Sequence, residues 1–208
     1  LEATYLNTFY ARGLSLAFLF GRPCVIGKSM MFRKSVLDRV GGMRAMSRYV
    51  AEDFIIGEEM RKLGLKVQLA VDPIAQHIGK HSFGSFWSRH MRWGRIRKAH
   101  APVAFLFEPI SSPFLASLAA AWAFSTAWGL SFDLVFAAQF LLFGALDALT
   151  AAHVSGKLSR DFSWSWMARE LLFLPMWLVV ASGNSVQWRG HRIPIQWGGK
   201  IAEEDAEW

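Results

Sequence analysis

The chain has 208 residues, a formal net charge of +7, an apolar fraction of 53%, 10 Trp and 17 Phe. That length holds one ordinary domain or a smaller domain joined to a membrane region, and the apolar content is rich for a purely soluble fold. Arg89, Arg92, Arg95, Arg97 and Lys98 crowd just ahead of the first long apolar stretch, and Ser111 to Ser155 holds no Lys or Arg; cations beside a span point to a membrane and away from nucleic acid as the partner.

The sequence opens at Leu1 with neither an initiator Met nor a signal-peptide pattern, and reads as the later part of a longer protein. Leu14 to Phe20 is apolar but too short to span, and Gly21-Arg22-Pro23 breaks it, so an interfacial or core helix is expected. Cys24 to Phe32 reads as a strand with Gly27 allowing close backbone approach. Cys24 is the only cysteine, which excludes an intrachain disulfide and leaves it the role of a small buried hydrophobe. Lys34 to Val40 predicts a short helix stopped by Gly41-Gly42. Glu52 and Asp53 open the next helix, Arg61 and Lys62 close it, and Gly64 caps it. Leu65 to Val71 reads as a strand ended by Asp72-Pro73. This order of strands and helices predicts part of an α/β domain over residues 1–100.

From Ser82 the pattern changes. Phe83, Phe86, Trp87, His90 and Trp93 interleave with arginines over about 83–100, the pattern of an amphipathic helix at a membrane interface. Residues 101–208 then form the membrane region, with apolar stretches near 110–130, 134–152 and 166–185 and a basic tail, Arg189-Gly190-His191-Arg192. The first two stretches are long enough for spans at about 20 residues each. Ser131-Phe132-Asp133 between them faces away from the cytoplasm, and Lys157 and Arg160 return to it. Arg169, Glu170 and Pro175 lie inside the third stretch. Charges at that depth are costly, so it either crosses or lies as a re-entrant or in-plane helix.

Two groups of residues carry possible chemistry. Asp53 is either a helix N-terminal carboxylate that satisfies backbone N–H groups or a general base for an acceptor hydroxyl, with Glu52 beside it. Arg89, Arg92 and Trp93 stand at i, i+3 and i+4, so a helix presents all three on one face. Two guanidiniums beside an indole suit a diphosphate and a sugar-like ligand, and a solvated basic face beside lipid headgroups explains the same pattern. His77, His81, His90 and His100 match no tight metal-ligand spacing. Lys28 in Gly27-Lys28-Ser29 lacks the upstream Gly of a phosphate loop. Asp147 is a polar group within the second span, set to meet a helix partner or a lipid headgroup.

Several blocks together resemble ceramide glucosyltransferases: Leu1-Glu2-Ala3-Thr4-Tyr5, Gly27 through Lys34, Val36-Leu37-Asp38, Tyr49 through Phe54, Arg89–Trp93, Glu108-Pro109-Ile110-Ser111 and the tail from Trp188. The resemblance implies the C-terminal part of a GT-A catalytic domain followed by two or three transmembrane or re-entrant helices. It implies an integral membrane enzyme, with the catalytic part on the cytoplasmic face, that inverts configuration as it moves glucose from UDP-glucose to ceramide. On that likeness Asp53 is the catalytic base, and Arg89, Arg92 and Trp93 hold donor and acceptor; Glu52, beside Asp53, is counted with the substrate-binding residues, where it either perturbs Asp53 by like charge or faces solvent. A divalent cation, Mg2+ or Mn2+, is expected for such an enzyme, with ligands that belong upstream of Leu1, so this piece alone is expected to be inactive. Tyr10 stands near a position where eukaryotic members carry His, which leaves hopanoid-type lipids as an alternative acceptor. A non-catalytic membrane protein with a lipid-binding basic helix is the alternative from another class.

Overall fold

The computed structural model describes residues 1–70, 72–79, 82–188 and 190–201. In chain order come α1 (Glu2–Tyr5), a π-helical turn (Leu6–Tyr10), α2 (Ala11–Leu19), α3 (Lys34–Arg39), α4 (Gly42–Met46), α5 (Glu52–Lys62), α6 (Phe83–His100) and α7 (Pro102–Phe107). A 3-10 turn (Glu108–Ser111), α8 (Pro113–Trp128), α9 (Phe132–Ser155), α10 (Phe162–Ser182), strands β1 (Ser185–Trp188) and β2 (His191–Pro194), and a last 3-10 turn (Trp197–Gly199) follow. The chain divides into two compact units. One joins Leu1–Arg12 to Pro102–Ala181, and the other joins Gly13–Ala101 to the described residues from Ser182 on.

In the second unit the core gathers Leu37, Met46, Ile56 and Met60 from α3, α4 and α5, with Met30, Phe32 and Val67 packed on them. The strands expected at Cys24–Phe32 and Leu65–Val71 do not form: residues 24–32 and 65–70 are irregular, and Val71 lies outside the described residues. Their apolar side chains still serve the core, but a strand needs a neighbour to pair with, and among the described residues the single sheet is the β1–β2 hairpin. The helix ends agree better with local chemistry. Gly41 and Gly42 end α3 and open α4 instead of a loop, and Gly64, at φ 75, follows α5. Ser82 caps α6 by accepting from the Ser85 N–H.

In the first unit Ser112 and Ser131 cap α8 and α9 in the same way, and a turn over residues 129–131 joins these two antiparallel neighbours. Of the three expected spans, α9 is long and apolar enough to cross a membrane by length and composition. The run Pro102–Ser111 with α8 passes only as one broken span, bent by 66° at Ser112-Pro113. The third stretch is one continuous helix, α10, with Pro175 inside it. Its charges are satisfied across helices. Arg169 donates to Asp147 of α9 at 2.7 Å, to Glu170 and to the Thr8 hydroxyl, while Arg12 donates to Asp147 at 2.8 Å. Glu170 in turn accepts from the Ser112 hydroxyl at 3.0 Å and the Phe114 N–H at 3.1 Å, so a buried carboxylate holds the start of α8. Asp147 thus meets neighbouring side chains, the Trp166 indole N–H at 2.8 Å among them.

Candidate functional site

All five sequence-selected residues lie in the second unit, on the starts and faces of two helices. Asp53 stands at the second position of α5, where the helix's exposed N–H groups favour an anion. One carboxylate oxygen accepts from the Phe54 N–H at 2.7 Å, and the other accepts from the Gly27 N–H. A carboxylate offers about four lone-pair sites, so capacity for a proton or a hydroxyl remains. The Glu52 side chain is exposed and makes no hydrogen bond among the described residues.

The other group sits on α6. The Arg89 guanidinium lies 6.0 Å from the centroid of the Trp93 ring, and Lys28 lies over the same ring at 5.3 Å while also donating to the Gln76 side chain. Gly27 and Lys28 are adjacent. One amide therefore reaches Asp53 while the next side chain reaches Trp93, and this dipeptide brings the two sequence groups together. Lys28 has a place here without any phosphate loop.

Arg92 takes a different partner. Its guanidinium sits 4.4 Å from the centroid of Trp188 in β1, and burial, then Arg89, lowers its pKa from the ordinary value. One and two turns on, the same face of α6 binds the chain just before and within the hairpin. Arg95 donates to the Ser185 carbonyl at 2.7 Å, and Lys98 donates to the Gly183 carbonyl at 2.7 Å and the Asn184 side chain at 2.9 Å. Gly183 leaves room for this approach: a Cβ there would fall 2.5 Å from the Arg95 guanidinium, which would have to shift. The tail then braces the approach to Asp53: the Val50 N–H donates to the Gly199 carbonyl at 3.0 Å, and Tyr49 bridges Lys200. Sequence reasoning placed Trp188 in a resembling block but gave it no role. Its distance in the chain from Arg92 hides their contact, and Arg189 of the same basic tail lies outside the described residues.

Behind the site lie two titratable groups. Burial, with the Asp53 carboxylate second, pushes the Cys24 thiol up to about 11. Burial lowers His100 from its ordinary value, and Asp53 opposes the shift. The His100 ring packs on Phe54 at 4.9 Å with Gly199 against it, and its Nε2 is buried without a partner among the described residues. Among the described residues no three His, Cys, Asp or Glu side chains converge, so these residues do not fit a divalent cation.

Over residues 1–201 the chain matches the family described as glycosyl transferase family 21. It belongs to that family. Its relatives include ceramide glucosyltransferase 3 of Caenorhabditis elegans, 28% identical over 96% of this chain and 44% of its own length. They also include ceramide glucosyltransferases of Pyricularia oryzae (27% identical, 94% of this chain, 51% of the relative) and Candida albicans (24%, 94% and 47%). The chain thus spans about half the length of these relatives. No solved structure matches it.

Proposed function

We propose that the complete protein is an inverting GT-A glycosyltransferase of the membrane. It moves glucose from UDP-glucose to ceramide, with its catalytic part on the cytoplasmic face. Family membership and the names of the relatives support a transferase with a sugar donor and a lipid acceptor. The observation that carries the site is the Gly27-Lys28 dipeptide, which ties Asp53 to the Trp93 face of α6.

In the proposed step Asp53 takes the proton of the lipid hydroxyl as its oxygen attacks C1 of glucose. The new C1–O bond forms on the face opposite the diphosphate, and the C1–O bond to the diphosphate breaks, with its electron pair leaving on UDP. Negative charge develops on that leaving group, where fixed cations stabilise it. Arg92 is suited to this because its guanidinium, held 4.4 Å from the Trp188 ring centroid, presents several N–H donors in a fork that matches phosphate oxygens. Arg89 and Lys28 add positive charge beside Trp93, whose ring offers a packing surface to sugar or acceptor. A divalent cation is expected for such a donor, yet the described residues hold no ligand set for it, so no step here runs through one.

Membranes from cells expressing the complete reading frame, supplied with labelled UDP-glucose and ceramide, provide the test. The expected product is a β-linked glucosylceramide that needs added ceramide. A labelled hopanoid instead would keep the transfer and replace the acceptor. Protein present in the membrane with no labelled lipid from any acceptor would refute the transfer.

A further inference from the structure

We infer that the first unit carries a site for an acidic glycerophospholipid where α9 ends. A groove of about 530 Å³ runs between the N-terminal segment and the turn after α9. Its floor is apolar, with Ala3, Ala151, Leu158 and Phe162, while Lys157 and Arg160 stand on its rim and Asn7 adds a polar edge. Among the described residues no acidic side chain lines it, Asp161 beside Arg160 included. Neither Lys157 nor Arg160 has an ion-pair or hydrogen-bond partner for its cationic group among the described residues, and both are exposed.

Depth identifies the occupant. α9 is the helix suited to crossing a membrane, with Leu141 71% and Leu149 67% exposed on its surface, and its C-terminal end lines the groove through Ala151 and Ser155. Trp164, 82% exposed and four positions after Arg160, is the kind of residue that settles at headgroup level. The turn that carries the cations is held in shape. Ser155 Oγ lies 2.7 Å from the Lys157 carbonyl, and the Phe162 N–H donates to the Ser159 carbonyl at 3.1 Å. A preformed apolar floor beneath two uncompensated cations at that depth fits a lipid phosphate with net negative charge, its glycerol and acyl carbons lying over Ala151 and Phe162. A zwitterionic headgroup brings its own cation and gains less.

The inference rests on α9 as a membrane helix and does not depend on the transfer chemistry. The complete protein in detergent, offered equal phosphatidylglycerol and phosphatidylcholine, is read by native mass spectrometry. Wild type is expected to retain phosphatidylglycerol preferentially, and Lys157→Gln with Arg160→Gln is expected to lower that retention roughly thirty-fold, as two cations near an anionic surface imply. Lys66→Gln, an exposed lysine of the other unit, is expected to change nothing. Equal retention of both lipids by wild type, or unchanged retention in the double variant, overturns the site. Displacement of bound lipid by millimolar inorganic phosphate also overturns it, since a free anion would then suffice. Retention of neither lipid overturns the site as well. Gel-filtration profiles that match wild type keep a folding defect in the double variant from being read as lost binding.

Discussion

Asn in place of Asp53 separates the two roles that residue can play. In the structure the two carboxylate oxygens accept from two different backbone donors, Gly27 and Phe54. Asn has one carbonyl oxygen, and its NH2 group would face the other N–H, so one of these bonds is lost. A half-exposed hydrogen bond of this kind contributes about 1 kcal/mol. For a chain of this size that lowers the unfolding midpoint by about 2–4 °C. If it fell wholly on the transition state, the same energy would slow turnover only about five-fold. Removal of a general base costs far more, about 10²–10⁴-fold. The assay is transfer from labelled UDP-glucose to ceramide in membranes of the complete protein, beside donor binding and a thermal-inactivation midpoint. Asp53→Asn should lose at least a hundredfold in kcat, in line with the base estimate, while its midpoint moves a few degrees and donor binding holds. Turnover within about five-fold of wild type would show that the carboxylate only anchors the Gly27 loop.

Three more outcomes follow from the geometry. Trp188→Ala should weaken donor affinity several-fold by freeing the Arg92 guanidinium, and Trp188→Phe should recover most of it, as a stacked cation contributes about 0.5–2 kcal/mol; isothermal titration with UDP checks both. In the first unit, Asp147→Asn removes the carboxylate shared by Arg12 and Arg169, and a broken buried pair costs about 3–5 kcal/mol. Thermal inactivation in detergent should fall by on the order of 10 °C. His100 holds its proton less well folded than unfolded, so its buried neutral ring contributes fully above its ordinary pKa of roughly 6.5. That contribution is lost as pH falls below this value toward the lowered one. Denaturation midpoints between pH 7 and pH 5 should therefore drop in wild type and drop less in His100→Gln.

Much of the helical framework could be read locally. Ser82 before Phe83, the acidic pair opening α5 and Gly64 after it are short-range signals, and the structure obeys them. The strands were misread because apolar runs such as Cys24–Ile26 look alike whether they pair in a sheet or lie irregularly against a helical core. Only a distant partner decides between these. The third apolar stretch looked contradictory, with Arg169 and Glu170 inside it, because the counter-charge and hydroxyl acceptor of Arg169 sit on α9 and in the π-helical turn, and the donor to Glu170 at the Ser112 cap. Spacing sets Arg89, Arg92 and Trp93 at i, i+3 and i+4, and all three lie on α6. It could not reveal that Arg92 looks to Trp188 while Trp93 looks to Lys28, since both contacts depend on chain return.

The docking of residues 183–200 on α6 and on the approach to Asp53 has a genetic consequence. A stop codon shortly after Ser182 would leave Asp53, Arg89, Arg92 and Trp93 all encoded. It would strip the partners of Arg92, Arg95 and Lys98 and the carbonyl that receives the Val50 amide. Such an allele would keep all four side chains and lose contacts that hold three cations of α6 in place, so inspection of those four positions alone would misjudge it.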